Sequence, residues 1–163
     1  MPGAPALKEL IVWRLERSRH ASTWQTGEGA FQVGGRWSST GRRVIYTALD
    51  PATAILEVAV HKGFDALDTV AHKLLSIKLH EPAKIHVLDA STIANKNWLR
   101  PGAFSQNQQK HGDGLLSVHP FVIVPSVVSS HSWNLLIDVS TAGGAFELVH
   151  MEDFALDTRL AKP

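Results

Sequence analysis

The sequence predicts an α+β fold in which a mixed or antiparallel sheet dominates. Short segments rich in apolar and β-branched residues recur along the chain, and only one segment carries helix signals at both ends. The length of 163 residues is typical of one domain and is enough to bury a core. We therefore expect one compact domain over 1–163, since no repeat or low-complexity linker divides the sequence.

The predicted strands are short and apolar, and most are bounded by charged or turn-forming residues. They are 11–15, 44–48, 73–79, 84–89, 121–128 with a break at Pro125, 134–139 and 146–150. Residues 18–43 are predicted to be mostly loop, with room for a short strand. The polar stretch 90–114 is predicted to hold one short helix around 91–98, and residues 154–160 are expected to form a short closing segment.

The one convincing helix is predicted over 51–62. Asp50 can cap its N-terminus, Pro51 suits the first helical position, and Gly63 can end it. The segment is apolar almost all round, so we expect it to be buried. Its polar residues recur every four positions and form one stripe: Thr53, Glu57 and His61. That stripe either meets water or lines a cleft with Glu57 at its centre, and periodicity alone leaves both interpretations open.

Charge and composition exclude several classes of function. The formal net charge is +1, so no general attraction to nucleic acid or to an anionic membrane is expected. The absence of cysteine excludes disulfides and cysteine-based zinc sites. The N-terminal stretch lacks the apolar core of a signal peptide, and no apolar run is long enough to span a bilayer. We expect a soluble cytoplasmic protein.

The stretch GGRWSSTGRRVIYTA, residues 34–48, is rich in glycine and arginine like a phosphate-binding loop. A dinucleotide-binding fingerprint fails, because Gln32 stands where its last glycine belongs and no helix is predicted next. A P-loop fails as well, because Gly35 stands where the lysine belongs. Any nucleotide must therefore be bound by the side chains of this loop.

A series of short motifs, in order along nearly the whole chain, resembles the RES domain, the toxin half of Xre–RES toxin–antitoxin pairs. The motifs are VWRL (12–15), GGRW (34–37), VIYTA (44–48), AILEVAVH (54–61), VPSVV (124–128) with Asn134, and FALDTRL (154–160). The resemblance departs at Ser38, where the family commonly has Asn, and at Ile137-Asp138, where it often has Asn-Pro.

The resemblance implies a fold related to ADP-ribosyltransferase toxins, with NAD+ bound in a cleft of the sheet. It implies a toxin that depletes NAD+ by cleaving the nicotinamide–ribose bond, through hydrolysis or phosphorolysis. The alternative is a mono-ADP-ribosyltransferase that modifies a cellular protein. NAD+ is then a substrate, with no permanently bound cofactor. The implied partner is an Xre-type antitoxin that covers the active site, and contact with nucleic acid occurs only through that antitoxin.

By match of motif, the resemblance implies a set of site residues. The catalytic candidates are Glu57, Arg36, Tyr46 and Ser126, and further contacts to NAD+ are expected from Arg14 and Asn134. His61 is a weaker candidate, better explained as a structural or capping histidine.

The chemistry of glycosidic cleavage suits these residue types. Nicotinamide leaves as a neutral ring, so the reaction needs a fixed carboxylate that stabilises an oxocarbenium-like state, and Glu57 can supply it. Arg36 can bind a diphosphate with two parallel donors. Tyr46 offers an aromatic face for nicotinamide. Ser126 can place a hydroxyl on the ribose or on the amide.

Each candidate also has a structural interpretation. Arg36 can be a turn residue at the surface, Tyr46 can be a core residue with its hydroxyl bonded, and Ser126 can serve the strand kink after Pro125. The Asp157 and Arg159 pair in the tail is interpreted as a structural ion pair.

Other classes of function are less well supported. Arginines near tryptophans, such as Arg42 and Arg43 near Trp37, would suit a nucleic-acid-binding or ribonuclease toxin, but the near-neutral total charge opposes it. The histidines show no recognised metal-ligand spacing, so no metal site is expected. Ser126 lies in V-P-S-V-V and lacks the G-x-S-x-G elbow of serine hydrolases.

Overall fold

One mixed sheet of seven strands organises the protein in the computed structural model, which describes residues 10–93, 95–102 and 104–161. The strands are β1 (Leu10–Arg17), β2 (Val44–Ala48), β3 (His72–Leu79), β4 (Ile85–Val87), β5 (Phe121–Pro125), β6 (Trp133–Asp138) and β7 (Phe146–Phe154). Their order across the sheet is β4-β5-β6-β2-β1-β3-β7. Neighbours are antiparallel except β4 and β5, which are parallel, so the predicted α+β class with a mixed sheet is confirmed.

Helices connect and cover the strands. They are α1 (Glu28–Val33), α2 (Pro51–Lys62), α3 (Phe64–Thr69), α4 (Gln106–Val118) and α5 (Val139–Ala142). Short 3₁₀ segments lie at Ser18–Thr26, Pro82–Lys84, Ala90–Thr92 and Thr158–Leu160. Among the described residues, no helix is long and apolar enough to cross a membrane.

The central strands are apolar on both faces, and each face has its own core. Alternating residues point to opposite sides of a strand, so Phe121 and Ile123 of β5 face one cluster while Val122 and Val124 face the other. On the second face, the strand residues pack against Trp37 and against Leu116, which lies on α4. Both side chains are almost fully buried. This second face carries the candidate site.

Helix α2 begins and ends where the sequence predicts. One carboxylate oxygen of Asp50 accepts the Thr53 N–H at 2.9 Å, the other accepts its hydroxyl at 2.7 Å, and Pro51 opens the helix. The expectation that α2 is buried is wrong for part of its surface. Only one side of α2 packs on the sheet and on α3, so Leu56 remains 38% exposed and Val60 62% exposed.

Two predictions for the irregular regions are corrected by the structure. Residues 18–43 were expected to be mostly loop with a short strand, but they hold a 3₁₀ segment and α1, and their only strand-like feature within the described residues is the isolated bridge between Gly35 and Ser38. The helix expected around 91–98 is a 3₁₀ turn at Ala90–Thr92 and a turn after 95, with residue 94 outside the described residues.

The substantial helix of that polar region is α4, which begins later, at Gln106. Ser105 caps it by accepting the Gln108 N–H at 3.2 Å. The sequence gives little indication of α4, because the helix contains Gly112 and Gly114. Its buried positions are Gly112 and Leu116. A helix with so narrow a buried stripe leaves little apolar periodicity in the sequence.

The remaining strand bounds shift by a few residues. The strand predicted over 121–128 stops at Pro125, the one predicted over 84–89 shortens to Ile85–Val87, and β7 extends four residues beyond 150. The tail pair is confirmed, since Arg159 Nε lies 2.9 Å from Asp157 Oδ1 and the same carboxylate caps the last 3₁₀ turn.

Candidate functional site

The Glu57 carboxylate is the centre of the candidate site. Two side chains donate to the same oxygen, Oε1: the Ser126 hydroxyl at 2.8 Å and the Asn134 amide Nδ2 at 2.7 Å. No hydrogen bond from the described residues engages the other oxygen, Oε2. One oxygen is thus held in place by two side chains of the protein.

The β5–β6 hairpin positions both donors. Asn134 lies opposite Val124 in the antiparallel register, and Ser126 follows directly after β5 ends at Pro125. The Ser126 N–H donates to the Ser132 carbonyl at 2.9 Å, which holds the backbone of the turn. Its buried hydroxyl also accepts the Ser129 N–H at 3.3 Å, so its proton is directed at Glu57.

Asn134 leaves one buried polar atom without a partner. Its Nδ2 is committed to the carboxylate, so its oxygen Oδ1 must point away from Glu57. That oxygen is buried and accepts no hydrogen bond from the described residues. A buried acceptor without a donor is unfavourable by about 1–3 kcal/mol. A ligand that presents an N–H or O–H group can satisfy it.

Arg36 extends from the loop of residues 34–39, here called the Arg36 loop. Its guanidinium donates to the carbonyls of Trp98 at 3.3 Å and Arg100 at 3.4 Å, and it lies 5.7 Å from the centroid of the Phe104 ring. Burial lowers the pKa of Arg36, and the negative charge of Glu57 partly opposes this shift. The two charged groups are therefore near enough to influence each other.

Tyr46 packs against the Arg36 loop and binds it through hydrogen bonds. Its hydroxyl accepts the Trp37 N–H at 3.2 Å and lies 2.7 Å from the Ser38 hydroxyl. A Cβ atom at Gly35 would lie 2.4 Å from the Tyr46 hydroxyl oxygen, so glycine is required there. The structural interpretation of Tyr46 thus accounts for its hydroxyl, and the expected stacking of nicotinamide on its ring stays a prediction.

Burial raises the pKa of Tyr46 to about 12, and hydrogen bonds from Ser38 and Trp37 oppose part of that shift. Tyr46 is the only tyrosine, so the rise in phenolate absorbance on titration reports this residue alone. We expect a midpoint near pH 12 in the folded protein and near 10 in denaturant. The stabilising contribution of the neutral phenol is complete below pH ~10 and is lost as the pH rises towards ~12. A midpoint near 10 in the folded protein would contradict the buried hydroxyl.

Arg14 lies on β1 and is held by contacts within the sheet. It donates to the Tyr46 carbonyl at 2.8 Å and forms an ion pair with Glu16 at 2.8 Å. The structure therefore places the Arg14 guanidinium next to the backbone of Tyr46. Its expected contact with NAD+ stays a prediction.

The arginines after the loop are paired with carboxylates. Arg42 contacts buried Asp138 at 3.2 Å and Asp113 at 3.4 Å, and Arg43 pairs with Glu28 while its guanidinium lies over Phe31. Paired arginines of this kind do not form the open basic groove that the nucleic-acid alternative requires.

The two departures from the family pattern have structural roles here. Ser38 is fully buried and bonds the Tyr46 hydroxyl, and Asp138 caps α5 by accepting the Thr141 N–H at 3.2 Å.

His61 is exposed in the last turn of α2, where a basic side chain suits the helix dipole. Within the described ranges, no group of three or more His, Asp or Glu side chains could hold a metal ion.

Comparison with known proteins identifies the family. The family model of the RES domain matches residues 11–158. The chain belongs to the RES domain family. Two RES relatives named Toxin Res are similar over 156 residues each. The one from Photorhabdus laumondii is 31% identical and covers 94% of this chain and 98% of its own length, and the one from Pseudomonas putida is 30% identical and covers 93% and 99%.

A solved structure shares the fold of this RES domain. The crystal structure of the MbcT–MbcA toxin–antitoxin complex of M. tuberculosis matches with a TM-score of 0.72 and 19% identity, covering 90% of this chain and 85% of that chain. The predicted RES fold is confirmed by this match and by the family model.

The candidate site contains residues that the sequence did not reveal. Gln109 and Asp113 of α4 bind the backbone of the Arg36 loop: Gln109 Nε2 donates to the carbonyls of Gly35 at 3.0 Å and Ser38 at 3.2 Å, and Asp113 Oδ1 accepts the Ser39 N–H at 3.0 Å. The available signal was Ser105 as a helix cap, which would have placed both residues on one helical face.

Proposed function

We propose that this RES domain is the toxin of a toxin–antitoxin system and that it depletes NAD+ by cleaving the nicotinamide–ribose bond. The observation that carries the proposal is the convergence of Ser126 and Asn134 on one oxygen of Glu57. A carboxylate held in this way keeps its orientation as positive charge develops nearby, so little reorganisation is needed during the reaction.

The proposed reaction breaks the bond between the ribose C1′ and the pyridinium nitrogen. The bonding electrons pass to the ring, which leaves as neutral nicotinamide and needs no proton. The ribose becomes oxocarbenium-like, and Glu57 stabilises that charge while its Oε2 accepts a ribose hydroxyl. Water or phosphate then adds to C1′ and loses a proton.

Arg36 suits the diphosphate of the same substrate. Its guanidinium donates to two backbone carbonyls, at 3.3 and 3.4 Å, which are long for hydrogen bonds from a charged donor. A phosphate oxygen is a stronger acceptor than a carbonyl because it carries negative charge. We therefore expect the phosphates of NAD+ to replace the two carbonyls as acceptors for Arg36. The orphaned Oδ1 of Asn134 suits a second donor of the substrate, either the carboxamide or a ribose hydroxyl.

We also propose that an Xre-type antitoxin covers the cleft in the cytoplasm. One solved relative of this fold is a toxin–antitoxin complex. On this chain, the exposed Leu56 and Val60 lie on α2 beside Glu57 and offer apolar area to such a partner.

The test is release of nicotinamide from NAD+ by purified protein, with and without phosphate. Wild-type protein is expected to release nicotinamide, and a dependence on phosphate would identify phosphorolysis. Arg36→Ala is expected to raise the KM for NAD+ by tenfold or more, because Arg36 contributes binding energy. Arg100→Ala is the matched control: it removes a neighbouring positive charge and keeps the carbonyl to which Arg36 donates.

Absence of release by wild-type protein under both conditions contradicts the proposal. Incorporation of label from NAD+ into a discrete protein in a lysate would then identify mono-ADP-ribosyl transfer instead. Equal KM values for Arg36→Ala and wild type would show that Arg36 does not contribute to binding of NAD+.

A further inference from the structure

The Arg36 loop is short and closed on itself, so its shape determines where Arg36 points. The Gly35 N–H donates to the Ser38 carbonyl at 2.9 Å, and the two residues form an isolated antiparallel bridge around Arg36 and Trp37. Gly34 enters the loop with φ = 70°, a backbone conformation that favours glycine. A loop held by one such bridge needs further contacts to keep one conformation.

Gln109 supplies contacts to both ends of the bridge. Its Nε2 carries two N–H groups, and the two carbonyls it reaches, Gly35 and Ser38, flank Arg36 on either side. Both donors of one amide are therefore used on one loop. No other amide side chain among the described residues bonds this loop.

The rest of the same α4 face also fits the loop. Gly112 lies so close to Trp37 that an added Cβ would be 1.9 Å from the Trp37 carbonyl oxygen, and Asp113 accepts the Ser39 N–H. Residues at i, i+3 and i+4 share one side of a helix. The face formed by Gln109, Gly112 and Asp113 is thus complementary to the backbone from residue 35 to residue 39.

We propose that Gln109 is a positioning residue, which acts through the backbone of the Arg36 loop to keep the Arg36 guanidinium in one orientation. The role rests on the proposed function, in which Arg36 binds the diphosphate of NAD+. The hydrogen bonds that the Gln109 side chain makes to other described residues go to backbone carbonyls of the loop.

Two variants of Gln109 test the proposal. Gln109→Glu keeps the size but cannot donate, and its carboxylate repels both carbonyls; Gln109→Leu removes the donors without adding charge. Each is expected to raise the KM for NAD+ about 10- to 100-fold with a small effect on kcat, since misplacement of a binding group has effects of that size. Gln106→Glu is the matched control, because it makes the same change at an exposed position of the same helix.

A second measurement separates positioning from general stability. Amide hydrogen exchange in residues 34–39 is expected to be faster in both Gln109 variants, while the unfolding free energy stays close to that of Gln106→Glu. Unchanged KM and unchanged exchange would overturn the proposal. A loss of activity that follows the unfolding free energy, without faster exchange in the loop, would overturn it as well.

Failure of the proposed function is distinguishable from failure of this inference. If wild-type protein releases no nicotinamide, NAD+ cleavage is refuted. The exchange comparison then still decides whether Gln109 orders the Arg36 loop, because it needs no substrate.

Discussion

Replacing Glu57 with glutamine is expected to lower the rate of NAD+ cleavage by about a hundredfold or more. Glutamine has nearly the same size and its carbonyl can still accept from Ser126 and Asn134, so the fold should persist. In the proposed mechanism, it removes the negative charge that stabilises the oxocarbenium-like state. The measurement is nicotinamide release under single-turnover conditions, which reports the chemical step rather than substrate binding.

The matched control for this prediction is His61→Gln. His61 lies one turn further along α2 and is exposed, so its replacement leaves the carboxylate and its two donors in place. It is expected to retain the wild-type rate. A folded Glu57→Gln protein with the wild-type rate would show that Glu57 has no part in the chemistry.

Gly112→Ala is expected to lower the free energy of unfolding by about 1–3 kcal/mol or more. The added methyl group would lie 1.9 Å from the carbonyl oxygen and 2.6 Å from the carbonyl carbon of Trp37, and these backbone atoms cannot rotate away like a side chain. Either α4 moves off the sheet or the Arg36 loop shifts, so NAD+ cleavage should fall together with stability. Urea denaturation and nicotinamide release measure the two effects.

Gly114→Ala provides the control in the same helix. Apart from its neighbours in sequence and the backbone of its own helix, no atom of the described residues lies within 4 Å of the Cβ position at Gly114, and alanine is the better helix former by about 1 kcal/mol. This variant is therefore expected to be as stable as the wild type or more stable. If Gly112→Ala matched Gly114→Ala in stability, the close approach of α4 to Trp37 would be wrong.

The strands and α2 could be predicted because their signals are local. β-branched runs such as those around Val44 and Val122 give strands, and Asp50 with Pro51 marks the start of α2 whatever lies around it. The resemblance to the family similarly pointed to Glu57 and Arg36, because motifs survive as short stretches of sequence.

The partners of these residues could not be predicted, because they depend on contacts between distant segments. Ser126 and Asn134 donate hydrogen bonds to one oxygen of Glu57. That arrangement depends on the β5–β6 register and on the position of α2 against the sheet. The burial of α2 was overestimated for the same reason: composition reveals that a helix is apolar but does not reveal how much surface its neighbours cover. The role of α4 was missed because its important residues are polar or glycine and bind backbone.

The donors to Glu57 have a consequence for synthesis of the protein. Ser126 lies 69 residues and Asn134 77 residues after Glu57 in the chain, and Gln109 lies 74 residues after Gly35. While the chain is being translated from its N-terminus, the carboxylate and the arginine emerge long before the groups that orient them. The proposed site is therefore incomplete until the segment that contains Ser126 and Asn134 has emerged and has packed against α2.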